Sequence, residues 1–135
     1  MYSTKLSVGI HILSVIVLMD GQPVTSEYIA SSVNTNPALV RRLMSRFKKA
    51  KLIKTSTKLG VTGLAREAKD ISLLDIFLAS EDHRELFGIH SNTNPKCPVG
   101  ARIEGTLKHI YDNIQTETEE KLSAISLADV TKEFI

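Results

Sequence analysis

Basic side chains are concentrated in the middle of the 135-residue chain, where they could bind phosphate groups. Between residues 28 and 66 there is no Asp or Glu. An ordinary solvated helix face is the alternative, but such faces mix both signs of charge, so this block favours an anionic partner such as nucleic acid. The basic residues in this span are Arg41, Arg42, Arg46, Lys48, Lys49, Lys51, Lys54, Lys58 and Arg66.

The single cysteine, Cys97, is the other side chain that could do chemistry. A lone cysteine excludes a disulfide within this chain and a zinc site of several thiolates, and it indicates a reducing compartment. If a helix begins at about residue 98, its dipole and the charge of Lys96 both favour the thiolate form of Cys97. A reactive thiolate would make Cys97 a redox or thiol-reactive sensor. A chemically quiet thiol, or a weak metal or small-molecule site with His83 or His90, remains an alternative.

No arrangement typical of an active site accompanies these residues. The sequence shows no Ser/His/Asp set, no pair of carboxylates placed for acid–base work and no phosphate-cradling loop, because Gly60 and Gly63 lack the necessary spacing. We therefore expect a protein that is not an enzyme, with no catalytic residue, no metal site and no cofactor. The remaining functions are those of a binding protein.

Composition indicates a small globular protein. The chain is 42% hydrophobic, and its net charge is +2. The N-terminus lacks the pattern of a signal peptide, and the longest apolar run, over residues 10–19, is too short for the roughly 20 residues that a bilayer requires. We expect a cytoplasmic protein without membrane contact.

Helical periodicity and capping residues predict three helices in the first half. Ser3 or Thr4 can cap the first, which runs to about residue 19, and the second covers 26–32 with Thr25 as its cap. The third covers 37–50, with Asn36 as its cap and a proline at its first position. Apolar residues line one face of this third helix at Val40, Leu43, Met44 and Phe47. The opposite face combines basic and small residues, namely Ala38, Arg42, Ser45 and Lys49, with Arg41 and Arg46 on its flanks.

A β-hairpin is expected to follow the third helix. Residues 52–56 read as a strand, 57–63 as a loop with Lys58 near its tip, and 64–66 as a weakly indicated return strand. Another short helix begins after Ser72, which is its predicted cap.

A long C-terminal helix is predicted after a loop rich in Asn, Pro, Ser and Thr. The helix covers about residues 98–122 and would be about 37 Å long at 1.5 Å per residue. Because its apolar stripe is longer than a small core can cover, we expect it to meet the same helix of a second copy in a two-fold dimer. Packing within one chain is the alternative. A last short helix is indicated by Leu127, Val130 and Phe134.

These elements in this order predict a mostly α fold with a small β-hairpin wing: a winged helix-turn-helix with a long C-terminal dimerisation helix. We expect residues 1–80 to form the winged-helix DNA-binding domain and residues 81–135 to form an effector loop and dimerisation helices. In such a motif the third helix enters the major groove with its N-terminal end. Arg42 is the strongest candidate for base recognition, since Arg pairs bidentately with guanine.

Several segments resemble the Rrf2 family of bacterial winged-helix transcriptional regulators, and within it the YwnA-like branch. They are residues 25–54, the opening of the first helix, residues 70–76 and residues 94–100. The resemblance implies a homodimeric DNA-binding protein, usually a repressor, whose long helix is the dimer interface. It also implies that Ser3 and Lys5 lie near the DNA backbone.

Two features depart from the resemblance. The family's wing usually carries an Arg before paired glycines, whereas this chain has Lys58 and separated glycines. Well-known relatives hold an iron–sulfur cluster with three cysteines, whereas this chain has one, so we do not expect the cluster here.

The expected partners are a double-stranded DNA operator, a second copy of the chain and an unidentified small-molecule or redox effector. A winged-helix module for protein–protein contact, without DNA, is the competing function. The residues expected at the DNA are Ser3, Lys5, Thr25, Ser26, Thr35, Asn36, Pro37, Ala38, Arg41, Arg42, Ser45, Arg46, Lys49 and Lys58.

Overall fold

The computed structural model describes residues 3–135 and confirms a mostly helical fold with one small β-hairpin. A short 3₁₀ turn at Ala68–Asp70 lies between the hairpin and the next helix, and another at Lys132–Phe134 follows the last helix. Within the described residues every helix is too short or too polar to span a lipid bilayer. In chain order the elements are α1 (Lys5–Leu18), α2 (Ser26–Val33), α3 (Pro37–Lys49), β1 (Ile53–Ser56), β2 (Gly60–Leu64), α4 (Leu73–Ser80), α5 (Ile103–Ser123) and α6 (Leu127–Thr131).

Helix α1 is central to the hydrophobic core. It contacts α2, α4, α6 and β2, and it buries Ile12, Leu13 and Ile16. Gly9 lets it lie close to its neighbours, because a Cβ built there would come within 2.9 Å of the ring of Phe47. The tight packing of α1 fixes the frame on which the other helices are held.

The caps of α2 and α3 are those that the sequence predicts. The Thr25 side chain accepts a hydrogen bond from the backbone of Tyr28, and the Asn36 side chain accepts one from the backbone of Leu39. Between the two helices Asn34 has a φ of 63°, the left-handed conformation that ends a helix and turns the chain sharply. These local hydrogen bonds set where α3 begins.

The β-hairpin confirms the predicted wing, although its return strand lies elsewhere than expected. β2 covers Gly60–Leu64 rather than 64–66, because a turn over 57–59 closes at Gly60, whose φ is +81°. Within β2, Val61 is fully buried, and its carbonyl oxygen accepts a hydrogen bond from the Val24 N–H at 3.0 Å. The wing is therefore joined to the segment that leads into α2.

The predicted cap of α4 is also confirmed, since Ser72 and Asp75 form reciprocal side-chain to backbone hydrogen bonds. The long helix α5 begins at Ile103, five residues later than expected. Residues 95–102 form turns instead, in which the Cys97 N–H bonds to the Asn94 carbonyl oxygen at 3.2 Å. The chain folds back on itself here because residue 100 is a glycine, and a Cβ at that position would collide with the Asn94 carbonyl.

Helix α5 runs outside the core and α6 returns to it. No residue of α5 is buried, and Ile110 and Ile114 are 45% and 38% exposed. By contrast, Leu127 at the start of α6 is fully buried, and its N–H bonds to the Ile71 carbonyl oxygen at 2.8 Å. Helix α6 thus completes the core that the first half of the chain builds.

Candidate nucleic-acid interface

Helix α3 has one face in the core and one in solvent. Val40, Leu43 and Phe47 are fully buried, as their spacing predicts. The opposite face is exposed, and its members are Ala38, Arg42, Ser45 and Lys49. Because three large side chains anchor the buried face, the exposed face is held at a fixed orientation. Small residues between the cations leave room for a close approach to another surface.

The cations on this exposed face differ in how far they are already paired. Arg41 Nη1 lies 3.5 Å from Glu27 Oε1 at the start of α2, in a pair whose members are both well exposed. Such exposed pairs contribute little, about 0–1 kcal/mol, and DNA phosphates can replace the carboxylate. No carboxylate within residues 3–135 forms an ion pair with Arg42. Its five N–H donors are available to a ligand.

Arg46 points away from that exposed face. Its Nη1 donates to the Ser80 carbonyl oxygen at 2.9 Å, and its Nη2 pairs with Asp82 Oδ1 at 2.8 Å. The same carboxylate pairs with Lys5 at the start of α1. Two residues expected near phosphates therefore lie together, in a network of their own beside α4.

A groove separates α3 from the wing. It has a volume of about 370 Å³, and its walls include Arg41, Ser45 and Lys48 from α3 together with Thr55 and Gly60 from the hairpin. Lys58 is exposed in the turn at the tip of the hairpin. The helix and the wing thus present cations on both sides of one open surface.

The remaining predicted contacts lie at the starts of helices. Thr35 and Asn36 precede α3, and Pro37 is its first residue. Thr25 caps α2, Ser26 is the first residue of α2, and Ser3 accepts a hydrogen bond from the Lys5 backbone at 3.1 Å. Backbone N–H groups at helix starts are suited to phosphate oxygens.

Sequence reasoning missed Asp82. It stands 77 residues from Lys5 and 36 from Arg46 along the chain, so no local spacing or motif announces the contact. The only visible signal is an acidic pair directly after α4, which by itself is common on protein surfaces.

Cys97 lies in the turns before α5 rather than at the start of that helix. The thiol is exposed, and hydrogen bonds from the backbone N–H groups of Gly100 and Val99 lower its pKa. The direction is the one expected from sequence, but the cause is a local turn and not the dipole of α5, which begins at Ile103.

The fold and this surface define a class of protein. A helix-turn-helix whose second helix is buried on one side and basic on the other, followed by a β-hairpin, is the architecture of a winged-helix transcriptional regulator. The chain belongs to the Rrf2 family: residues 2–133 match the family described as "Iron-dependent Transcriptional regulator".

Relatives and solved structures agree with this assignment. The chain is 45% identical over 132 residues to "Putative HTH-type transcriptional regulator YwnA" of Bacillus subtilis, covering 96% of both chains. It is 38% identical to a crystal structure described as "a putative DNA binding protein", with a TM-score of 0.75 and coverage of 93% of this chain and 97% of that one. It also shares the fold of CymR, described as the global cysteine regulator of B. subtilis, at 21% identity and a TM-score of 0.72, over 98% of this chain and 96% of that one.

The family description implies iron, but the side chains present do not fit it. An iron–sulfur cluster held by cysteines needs several thiolates, and this sequence contains only Cys97. Within residues 3–135 the side chains of His, Cys, Asp and Glu form no group of three that could hold a metal ion.

Proposed function

We propose that this protein is a homodimeric repressor that binds a specific DNA operator in the cytoplasm and has no catalytic activity. The observation that carries the proposal is the exposed, acid-free face of α3, which is held rigid by Val40, Leu43 and Phe47 on its other side. A helix of this width fits the major groove, which is about 12 Å wide.

Within this proposal the residues divide by role. Arg42 reads a guanine, and its neighbours Ala38 and Ser45 allow the helix to sit deep enough for that contact. Cations nearer the edge, among them Lys49 and Lys58, neutralise phosphates. The wider set that we propose at the DNA also includes Ser3, Lys5, Thr25, Ser26, Thr35, Asn36, Pro37, Arg41 and Arg46.

Helix α5 supports the proposed dimer. Its 21 residues extend about 31 Å, and it buries none of them against its own chain, while Ile110 and Ile114 are exposed. Burying these side chains against the same helix of a second copy gives a two-fold symmetric pair. Two α3 helices would then face half-sites about 10 base pairs apart. Residues 1–80 would carry most of the DNA contacts, with residues 81–135 serving regulation and pairing.

Cys97 is the proposed site of response to redox or thiol-reactive signals. An exposed thiol with two backbone N–H donors forms a thiolate more readily than an ordinary cysteine, and thiolates react with peroxides and electrophiles. Cys97→Ser should make operator binding insensitive to peroxide. If the variant responds like the wild type, Cys97 is not the sensor.

Selection of bound fragments from a random DNA pool tests the function itself. We expect a two-fold symmetric consensus, with an affinity that falls steeply as salt rises, because phosphate contacts release counterions. Enrichment of no sequence, together with an affinity insensitive to salt, would contradict the proposal. That outcome would favour the competing function, a winged-helix module that binds protein.

A further inference from the structure

Three segments that are far apart in the sequence meet at the carboxylate of Asp82. One oxygen pairs with Lys5 Nζ at the start of α1, and the other accepts a hydrogen bond from Arg46 Nη2 in α3 at 2.8 Å. The second terminal nitrogen of Arg46 donates to the Ser80 carbonyl oxygen at 2.9 Å. Residues 80–82, at the end of α4 and just after it, therefore connect the start of α1 to the last turn of α3.

A neighbouring contact strengthens the junction that Asp82 forms with Lys5 and Arg46. Glu81 Oε1 accepts a hydrogen bond from the Leu6 N–H at 2.9 Å, so two successive acidic residues, Glu81 and Asp82, bind the first turn of α1. The hydrogen bonds from Lys5 and Arg46 hold the pKa of Asp82 at about 2, so its carboxylate stays charged at neutral pH.

These contacts with Asp82 keep two cations partly out of solvent and occupied by a carboxylate. The side chains of Lys5 and Arg46 are 27% and 31% exposed, against 57% for Arg41. A phosphate oxygen would use the same donors with the same geometry as the Asp82 carboxylate. Asp82 and DNA therefore compete for the same two side chains.

We propose that Asp82 is a positioning residue that sets how many cations the protein offers to DNA. It retains Lys5 and Arg46 while residues 80–82 stay in place, and it releases both to phosphates when this segment moves. The inference rests on the proposed function. It supplies a route of regulation, because Asp82 lies near the start of the irregular segment 81–102, which also contains Cys97.

The same segment is hydrogen-bonded to α5, the proposed dimer helix, so the junction is connected to that helix. Arg84 donates two hydrogen bonds to Glu119 at 2.8 Å and 2.6 Å, and Gln115 bonds to the Arg84 carbonyl oxygen at 2.8 Å. A ligand or modification that shifts this segment would change DNA affinity through Asp82 and its partners Lys5 and Arg46.

The test measures binding of a duplex of random sequence as a function of salt, for the full-length wild type and Asp82→Asn. Each phosphate neutralised adds about 0.9 to the slope of log K against log salt. Freeing Lys5 and Arg46 should steepen the slope by about 0.9 to 1.8, and it should tighten binding several-fold at low salt.

Glu85→Gln is the matched control. It removes one negative charge from the same segment, and within the described residues Glu85 forms no ion pair with Lys5 or Arg46. Adding Lys5→Gln and Arg46→Gln to Asp82→Asn should abolish the gain. Thermal unfolding verifies that each variant is folded, and Asp82→Ser replaces Asp82→Asn if the latter is not.

Two results would overturn the inference: a slope for Asp82→Asn equal to that of Glu85→Gln, or a gain that persists when both cations are removed. The proposed function fails separately. If the wild type shows no salt-dependent DNA binding, both proposals fall, whereas a binding wild type with an unchanged Asp82→Asn slope removes only this inference.

Discussion

Arg42 and Lys49 lie two helical turns apart on the same exposed face of α3, yet we expect their replacement to have different effects. Arg42→Ala should reduce the preference for operator over random DNA by about 1–3 kcal/mol, because a bidentate base contact is lost. Lys49→Ala should weaken binding to all sequences alike, because a phosphate contact carries no sequence information. Dissociation constants for operator and scrambled duplexes at fixed salt measure both effects.

Equal loss of affinity for both duplexes in Arg42→Ala would show that Arg42 contacts only the backbone. Ser31→Ala, on the exposed surface of α2 and outside the proposed contact set, provides the control and should bind both duplexes as the wild type does.

Cys97 allows a prediction about pH. The N–H groups of Gly100 and Val99 stabilise the thiolate, so its pKa is lowered and the thiolate persists to lower pH than in an unfolded chain. The rate of alkylation by iodoacetamide, followed against pH, should reach half its maximum at lower pH in folded protein than in urea. Identical midpoints in the two states would contradict this geometry.

At the scale of elements, close packing around α1 gives a stability prediction. Gly9→Ala should destabilise the fold by about 1–3 kcal/mol through overpacking, partly offset by roughly 1 kcal/mol of helix propensity. The added Cβ would meet Phe47, Ile76 and Ser80, which are all buried or nearly so.

Gly105→Ala in α5 is the control for this substitution, since a Cβ there meets nothing within 4 Å. Urea unfolding should show it to be neutral or stabilised. A Gly9→Ala variant as stable as the wild type would contradict close packing of α1 against Phe47.

Most of the first half of the fold follows from local signals. Thr25, Asn36 and Ser72 act as caps in the structure as they do in the sequence pattern, because a cap depends on residues three positions apart. The periodicity of α3 likewise predicts both its buried and its exposed face.

The errors arise where distant contacts or backbone conformation decide the outcome. The start of α5 is displaced because Gly100 packs against Asn94, which no periodicity reveals. The wing turns at Gly60 because that residue adopts a positive φ. The pairing of Arg46 depends on Asp82, which is too far away in the sequence for any local pattern to reveal the contact.

At the scale of the whole molecule, the exposed apolar residues of α5 predict association. Ile114→Lys should shift the protein from dimer to monomer, because a charge would enter an apolar interface. Thr116→Lys, exposed on a different side of the same helix, should leave the dimer intact. Sedimentation equilibrium separates the two species, and a wild type that sediments as a monomer would contradict the proposed pairing.

The distribution of charge fits the same arrangement. Nine of the 17 basic residues lie between residues 41 and 66, a span without Asp or Glu, whereas α5 and α6 together carry six acidic residues and two basic ones. The electrostatic field of this charge distribution should steer α3 toward the duplex first.

Methylation interference on the selected operator tests the central claim most directly, because guanine N7 lies in the major groove. We predict interference at one guanine or more in each of two half-sites for the wild type. With Arg42→Ala the interference should vanish at one guanine per half-site and persist at the others. Interference absent from the wild type, or unchanged in the variant, would contradict an α3 that reads the major groove through Arg42.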